Sequence, residues 1–342
     1  VRAAVCHRYG PPEVVVVEER PAPKLRAGEI LVRVEATTVT TADARLRALR
    51  VPSGFGCLAP ALFGFGAPRR ATLGVECAGV VDAVSGTGSR FRVGDRVVGM
   101  DGVSMGCHAE YKVFSFGRAL VPMPPGLTFV EAASLPFGGM TALDFLRRGR
   151  LVAGERLLVV GAAGSVGSAA VQLAKATRAH VTGVCSAANR ELVHRLGADA
   201  TIDYTREDVT KLGERYDVVL DTVGSASIAE LASILRPGGR LLLVVASLWQ
   251  MLARPWVSLF GRAHVVAGPS AERLDDLEHL VALVNRRRLV PVIDDVLPFE
   301  RIAEAHARVD GGHKRGSVVL AVGAEARDGL HGRRCEAARF GL

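Results

Sequence analysis

No stretch of the chain approaches the ~20 uninterrupted apolar residues that a membrane-crossing helix needs, so no span is expected. Nor does a basic segment followed by a long apolar core stand at the start, so no secretory leader is expected. Cysteine is sparse: Cys6, Cys57, Cys77, Cys107, Cys185 and Cys335 are scattered and form no C-x-x-C pair. That pattern argues against a disulfide frame or a zinc knuckle, and for reduced thiols in a cytoplasmic setting. The formal charge is +8, yet Lys and Arg form no long block and do not interleave with aromatics. Nucleic acid is therefore not an expected partner. Aromatics make up 5 % of residues, while 49 % are apolar and 38 are Gly, an ordinary balance for an α/β protein. At 342 residues the chain is long enough for two domains and a sizeable core.

What is present is organised around residues 157–176, LLVVGAAGSVGSAAVQLAKA. Leu157 to Val160 is an unbroken apolar run, as in a central parallel strand buried on both faces. Gly161, Gly164 and Gly167 follow at three-residue spacing. Val166, Ala170, Leu173 and Ala174 then recur at helical spacing, so a helix starts inside the glycine stretch. Strand, glycine turn and helix N-terminus make a cradle for an anion, through free backbone N–H groups and the positive end of the helix dipole. Ala163 and Ser165 lie inside that turn and belong to the expected contact surface.

Before this stretch, residues 2 to about 120 read as short strands and turns, a compact β unit. A helix is predicted from Thr41 to Leu49, with Thr41 as its cap. Gly54 to Gly66 is rich in Gly and Phe and reads either as a loop covering a site or as a loose insertion. Pro122 to Gly126, PMPPG, is a stiff connector and the expected domain crossing. Strands are then predicted near 157–161, 180–185, 200–203, 217–221 and 240–246. Helices near 164–176, 189–196, 206–213 and 227–235 alternate with them, which implies βαβ units in one parallel sheet. Pro237-Gly238-Gly239 is expected to turn the chain into the last of these strands. Ser247 to Arg262 is apolar but interrupted by Arg254-Pro255, and reads as a flap on the substrate or subunit side. Leu274 to Val284 reads as an amphipathic helix, Ser317 to Val322 as a final strand, and residues beyond Gly323 as a loose tail.

The second strand of the parallel set ends at Val184-Cys185, roughly twenty residues past the glycine turn. A site for a free ribose would place a carboxylate there to accept from the 2′-hydroxyl. The sequence instead offers Ser186, Ala187, Ala188, Asn189 and Arg190. A 2′-phosphate needs donors and positive charge, so NADP(H) is the predicted cofactor, with Arg190 as the opening of a solvated helix the plainer alternative.

With these stretches the chain resembles the medium-chain dehydrogenase/reductases, in their zinc-free quinone oxidoreductase-like branch. The resemblance rests on Gly74-Val75-Glu76-Cys77-Ala78-Gly79-Val80-Val81, Val93-Gly94-Asp95-Arg96-Val97, Ala109-Glu110-Tyr111, Leu135 to Ala142, the glycine turn and Asp221-Thr222-Val223-Gly224. It implies an α/β fold: a GroES-like β domain from residues 1–122 and 266–322, an inserted Rossmann domain from 123–265, and a tail from 323–342. It also implies an active cleft between the domains and a homodimer through the Rossmann sheet edge, with Leu241 to Val245 as a weak fit to that edge.

Zinc-using relatives place Cys or His where this chain has Thr40, Val75 and the stretch Phe137–Gly139. Without those ligands no metal is expected. The resemblance assigns Thr40, Asp43 and His108 to the catalytic pocket. Thr40 stands where an Asn is common, Asp43 either orients it or caps a helix, and His108 either donates a proton or is simply packed. Cys107 is a weaker redox candidate. Thr141, Val223, Gly224, Val245, Ala246 and Ser317 are implied to flank the phosphates, nicotinamide or its ribose, and Tyr204 to lie near the adenosine. The expected function is NADPH-dependent hydride transfer to a quinone or an α,β-unsaturated carbonyl, both small-molecule substrates. A conjugated acceptor spreads the incoming charge over its own framework, which suits a site without a metal. Two alternatives stay open: an NAD(P)-dependent alcohol dehydrogenase or ketone reductase, and a non-catalytic NADPH-binding protein.

Overall fold

The computed structural model describes residues 1–51, 54, 56, 59–224, 226–246 and 263–328. The chain divides into two compact units. Among the described residues one holds Val1–Val51, 59–137 and 272–328, and the other is built on Gly138–Ala271.

The first unit begins with paired strands β1 (Arg2–Cys6) and β2 (Val15–Glu19). Its main sheet runs through β3 (Glu29–Val39), β4 (Glu76–Ser85), β5 (Arg96–Met100) and β7 (Ala119–Pro122), with β6 (Tyr111–Ser115) paired to β3. Two late strands, β14 (Ile293–Pro298) and β15 (Ser317–Ala321), complete it where β15 pairs antiparallel to β3. Val32, Val34, Phe114, Phe299, Val318 and Leu320 fill its core. Side chains alternate along each strand, so one face of β3 supplies Ile30, Val32 and Val34 to that core.

The second unit is a six-stranded parallel sheet. Its strands are β8 (Arg156–Val160), β9 (His180–Cys185), β10 (Ala200–Asp203), β11 (Tyr216–Asp221), β12 (Leu235–Leu243) and β13 (Ala263–Ala267). Their spatial order is β10-β9-β8-β11-β12-β13. The chain leaves β8 toward one edge and β11 toward the other. The crevice beyond the carboxyl ends of these two neighbours is where such sheets bind ligands.

Several expectations change. Pro122–Gly126 is not the crossing: Pro122 ends β7, and the Met123 N–H donates to Arg96 O at 2.9 Å, which pins this stretch to the first unit. The boundary falls between Phe137 and Gly138, inside the helix Pro136–Arg148. The return falls between Ala271 and Glu272, because β13 adds Val266 and Ala267 to the parallel sheet. The strand expected at 240–246 begins at Leu235, and a register shift where Tyr216 pairs Leu235 and Val218 pairs Arg240 absorbs Pro237 and Gly238. The helix expected at 206–213 is a single turn, Val209–Lys211. Leu241–Leu243 lies between β11 and β13, not at an edge; among the described residues the edges are β10 and β13. Residues Ala324–Asp328 form a short helix with Ala326 buried, so the chain past Gly323 begins in order. The expected flap 247–262, and Cys57, Cys335 and 329–342, lie outside the described residues; within Gly54–Gly66 a short helix spans Ala59–Phe63.

Candidate functional site

β8 delivers the chain to Gly161 with φ at 80°, a left-handed conformation that a side chain would strain. The Gly161 and Ala162 N–H groups both donate to the Val184 carbonyl, at 3.1 and 3.0 Å, and the Gly164 N–H donates back to Gly161 O at 3.1 Å. A Cβ on Gly167 would stand 2.8 Å from Ala162 Cα and overlap the Gly161 carbonyl oxygen. Gly167 thus lets the helix Ser165–Ala176 seat against the turn it leaves.

That helix starts on Gly164, with no side chain capping it. Other helices differ: Thr40, Thr128 and Ser227 each form a complete capping box with the acid three residues on. The first N–H groups of an α-helix have no partner within it, and here no cap takes one. Gly138, in the neighbouring helix, leaves no room for a side chain against Ser165, with a Cβ placed 2.5 Å from Ser165 O. Thr141 of the same helix is buried, its Oγ1 3.4 Å from Ser270 Oγ.

The loops after β11 and β12 reach the same turn. Thr222 Oγ1 donates to Val160 O at 2.8 Å. Asp221 Oδ1 accepts from the Val223 and Gly224 N–H groups, both at 2.9 Å. Its Oδ2 is buried with no partner among the described residues, and burial pushes this carboxyl above its usual range. Val223 is half exposed, and a Cβ on Gly224 would meet Val245 Cβ at 3.2 Å. Gly161, Ala163, Gly164, Ser165, Val166, Gly167, Val223, Gly224, Val245 and Ala246 therefore belong to one neighbourhood at the carboxyl ends of β8, β11 and β12.

A second neighbourhood lies at the end of β9. Asn189 Nδ2 donates to Ser186 Oγ at 3.2 Å. Arg190 is exposed, and its Nε donates to Thr201 Oγ1 at 3.0 Å. The nearby carboxylate at the end of β10, Asp203, accepts from the Thr205 N–H at 3.0 Å and hydroxyl at 2.8 Å. The Tyr204 ring is exposed, and its N–H donates to Cys185 O at 3.3 Å. Ser317 belongs to the first unit: it opens β15, buried, with its N–H on Val292 O at 2.9 Å.

In the first unit, Thr40, Asp43 and His108 do come together, but they face one another and the core. Thr40, not Thr41, is the cap of helix Thr41–Arg47. Its hydroxyl donates to Asp43 Oδ2 at 2.6 Å and accepts from the Asp43 N–H at 3.2 Å. Asp43 Oδ2 also takes the Thr40 N–H at 2.9 Å, and Oδ1 takes the Gly74 N–H at 2.9 Å. Gly74 has φ at 91°, and a Cβ there would lie 2.5 Å from His108 Cδ2. His108 is fully buried; its Nε2 donates to Thr38 O at 2.9 Å, and its ring meets His306 edge-on at 5.9 Å. His108 Nδ1 has no partner among the described residues. The packed reading of His108 is the one this geometry favours.

Sequence reasoning missed two members of this cluster. Glu76, fully buried, accepts from the Thr38 hydroxyl and from the Phe137 N–H at 2.6 Å. Burial raises its carboxyl to about 8 despite those bonds and nearby Lys314. Lys314 lies within electrostatic range of Glu76, and burial lowers its ammonium to about 8. These two residues are far apart in the chain, so no local pattern links them.

The glycine turn fits a dinucleotide pyrophosphate, because its uncapped helix end supplies donors and its glycines leave approach room. The described residues of the first unit do not offer a zinc ion a ligand set. The Thr40 hydroxyl and both Asp43 oxygens are committed, and the His108 Nε2 is turned onto a carbonyl. Among the described residues no three His, Cys, Asp or Glu side chains converge as metal ligands. Cys6, Cys77, Cys107 and Cys185 are buried free thiols.

Residues 26–125 match the alcohol dehydrogenase GroES-like domain, and residues 196–320 match the zinc-binding dehydrogenase family. The chain is 30 % identical over 312 residues to a chloroplastic quinone-oxidoreductase homolog of Spinacia oleracea, covering 87 % of this chain and 91 % of that protein. It is 29 % identical over 332 residues to an NADPH-dependent alkenal/one oxidoreductase, chloroplastic, of Arabidopsis thaliana, covering 94 % and 79 %. The quinone oxidoreductase from Coxiella burnetii superposes with a TM-score of 0.83 at 27 % identity, covering 94 % of this chain and 99 % of that one.

Proposed function

The chain belongs to the medium-chain dehydrogenase/reductase superfamily, in its quinone-oxidoreductase-like branch, and from that premise we propose an NADPH-dependent reductase of quinones or α,β-unsaturated carbonyls that works without a metal. It is an oxidoreductase with a nicotinamide cofactor. The single observation that carries the cofactor reading is the uncapped helix end at Gly164 beside a turn only glycine can make. When bound, NADPH supplies a hydride from C4 of its nicotinamide.

The chain's own residues have defined tasks in this reading. The N–H groups of Val166 and Gly167 hold the pyrophosphate, with Ser165 beside them. Ser186, Asn189 and Arg190 hold the 2′-phosphate, a preference supported by Asp203 being spent on Thr205. Tyr204 lies along the adenosine. Thr141, Val223, Gly224, Val245 and Ala246 line the nicotinamide side, and Ser317 contributes to its ribose. Thr40, Asp43 and His108 form the wall of the acceptor site. Metal independence is supported by the commitment of the oxygen and nitrogen donors in that wall. Among the described residues β13 is an edge of the parallel sheet, and a homodimer would join there.

The test is NADPH oxidation by chelator-treated protein with a panel of quinones and enones. Turnover with at least one conjugated acceptor is expected; consumption no faster than in buffer with every acceptor defeats the reading. The match to an alcohol dehydrogenase domain favours a second reading, reduction of simple ketones, which the same panel separates.

A further inference from the structure

The first unit keeps large apolar side chains in water at one place. Leu62, Phe63 and Phe65 are exposed by 60, 40 and 81 %. Single exposed apolar residues are ordinary on a folded protein, but three so close together form a patch. The backbone that carries them is firmly bonded. The Gly64 N–H donates to Pro60 O at 2.9 Å, and the Arg69 N–H donates to Phe63 O at 2.7 Å. Arg69 Nη2 reaches back to Ala61 O at 2.6 Å. Tyr9 fastens the loop to the start of the chain, its hydroxyl donating to Gly64 O at 3.0 Å and its N–H to Gly66 O at 3.3 Å. A loop held by these bonds presents its apolar side chains to solvent in its folded state.

The same bonds put cations around the patch. Arg69 is bonded to Phe63, Arg70 follows it, and Arg8 precedes Tyr9; all three are exposed. None of the three guanidiniums has a carboxylate partner among the described residues. Neighbouring acids are engaged elsewhere: Glu18 by His7 and Arg20, at 2.8 and 2.7 Å, and Asp310 by Arg47 and, at 3.9 Å, by Arg50. Glu13, in the turn after Arg8, is exposed and opposes the cations, and the balance at this rim stays positive.

We propose that this patch docks the protein on an anionic lipid surface. Leu62, Phe63 and Phe65 enter the boundary between headgroups and acyl chains, while Arg8, Arg69 and Arg70 meet the headgroup phosphates. Apolar side chains rimmed by guanidiniums match that boundary in both polarity and charge. A second copy of the chain matches it less well, because a symmetric contact through the patch would set one arginine rim against the other. A ring as exposed as Phe65 projects from the surface, and a soft bilayer accepts a projecting ring without a preformed groove. The contact is peripheral, since no helix among the described residues is long and apolar enough to cross a membrane. The proposal stands apart from the cofactor reading.

The experiment pellets the full chain with sucrose-loaded vesicles of phosphatidylcholine, alone or mixed with phosphatidylglycerol, at low and at high salt. Wild type should pellet with the mixed vesicles at low salt, and roughly tenfold less well at high salt or on phosphatidylcholine alone. Phe65→Ser and Arg70→Gln should each weaken partitioning by about fivefold or more, with melting temperatures unchanged, and the double variant should stay in the supernatant. Arg8→Gln supplies the charge test if Arg70→Gln does not fold. Wild type that stays in solution, that pellets equally with neutral vesicles, or that is matched by its variants overturns the proposal. Sedimentation velocity covers the other occupant: a dimer that Phe65→Ser dissociates, with no vesicle binding, assigns the patch to a second copy and also overturns it. The reductase reading is decided by turnover and survives either result.

Discussion

Helix Ser165–Ala176 begins on a glycine that caps nothing, whereas helix Thr41–Arg47 begins on a threonine fully paired with the acid three residues on. The same element is thus left open in one unit and closed in the other. An open end keeps N–H groups and the positive pole of the helix for an anion. At the closed end the Asp43 N–H is given to the Thr40 hydroxyl and the Asp43 carboxylate faces the positive pole, so Thr40 and Asp43 stabilise the first unit and shape a wall rather than offer reactive atoms. On the proposed reading, ligand binding follows from which end was left unfinished.

The contrast can be broken most severely at Gly167. Gly167→Val forces a branched side chain into Ala162 and the Gly161 carbonyl, and should cost about 3 kcal/mol or more, with NADPH binding lost. Thermal melting and a fluorescence titration check both. The closed end fails differently. Asp43→Ala removes the carboxylate half of the capping box and strands the Thr40 and Gly74 N–H groups, and should lower stability by about 2 kcal/mol while NADPH affinity is unchanged. Loss of cofactor affinity in that variant would erase the distinction between the two ends.

A finer probe is Gly164→Ala, whose Cβ finds only Gly161 O, at 3.5 Å. It should melt within about 1 kcal/mol of wild type. Yet NADPH should bind about tenfold more weakly, because the methyl stands where the phosphate approaches. An unchanged dissociation constant would mean the anion sits elsewhere.

The smallest effect at neutral pH concerns His306, buried against His108 with both ring nitrogens unpartnered among the described residues. Desolvation, then His108 and Arg47, hold its pKa well below 6.5. The unfolded chain therefore binds a proton that the folded chain refuses. Stability should be level above 6.5 and fall as pH drops below it, toward the depressed folded value. His306→Leu should flatten that decline in urea titrations run at several pH values; an identical slope would exclude His306 as its source.

What could be read from the sequence was local. The glycine spacing, the apolar runs of β8 and β11 and the absence of a carboxylate after β9 each sit within a few residues, and backbone geometry follows from them. β12 was harder, because Pro237 and Gly238 look like a boundary but are absorbed in a register shift. Helix Pro136–Arg148 hides behind Gly138-Gly139, residues that disfavour a helix, and Gly138 is required there by contact with Ser165. The cap moved from Thr41 to Thr40 because Asp43, not the sequence position alone, selects the partner. The side-chain cluster was least legible. Glu76 meets Thr38 through strand pairing that sets β4 beside β3, and no short pattern records a contact at that separation.

The central claim is that an open helix end and a basic, carboxylate-free strand end hold NADPH. Calorimetric titration of the chelator-treated protein with NADPH and NADH, side by side, tests it most directly. The account predicts one site per chain, with NADPH bound at least about tenfold more tightly than NADH. Equal affinities would contradict the assignment of Arg190, and no heat from either nucleotide would contradict the site itself.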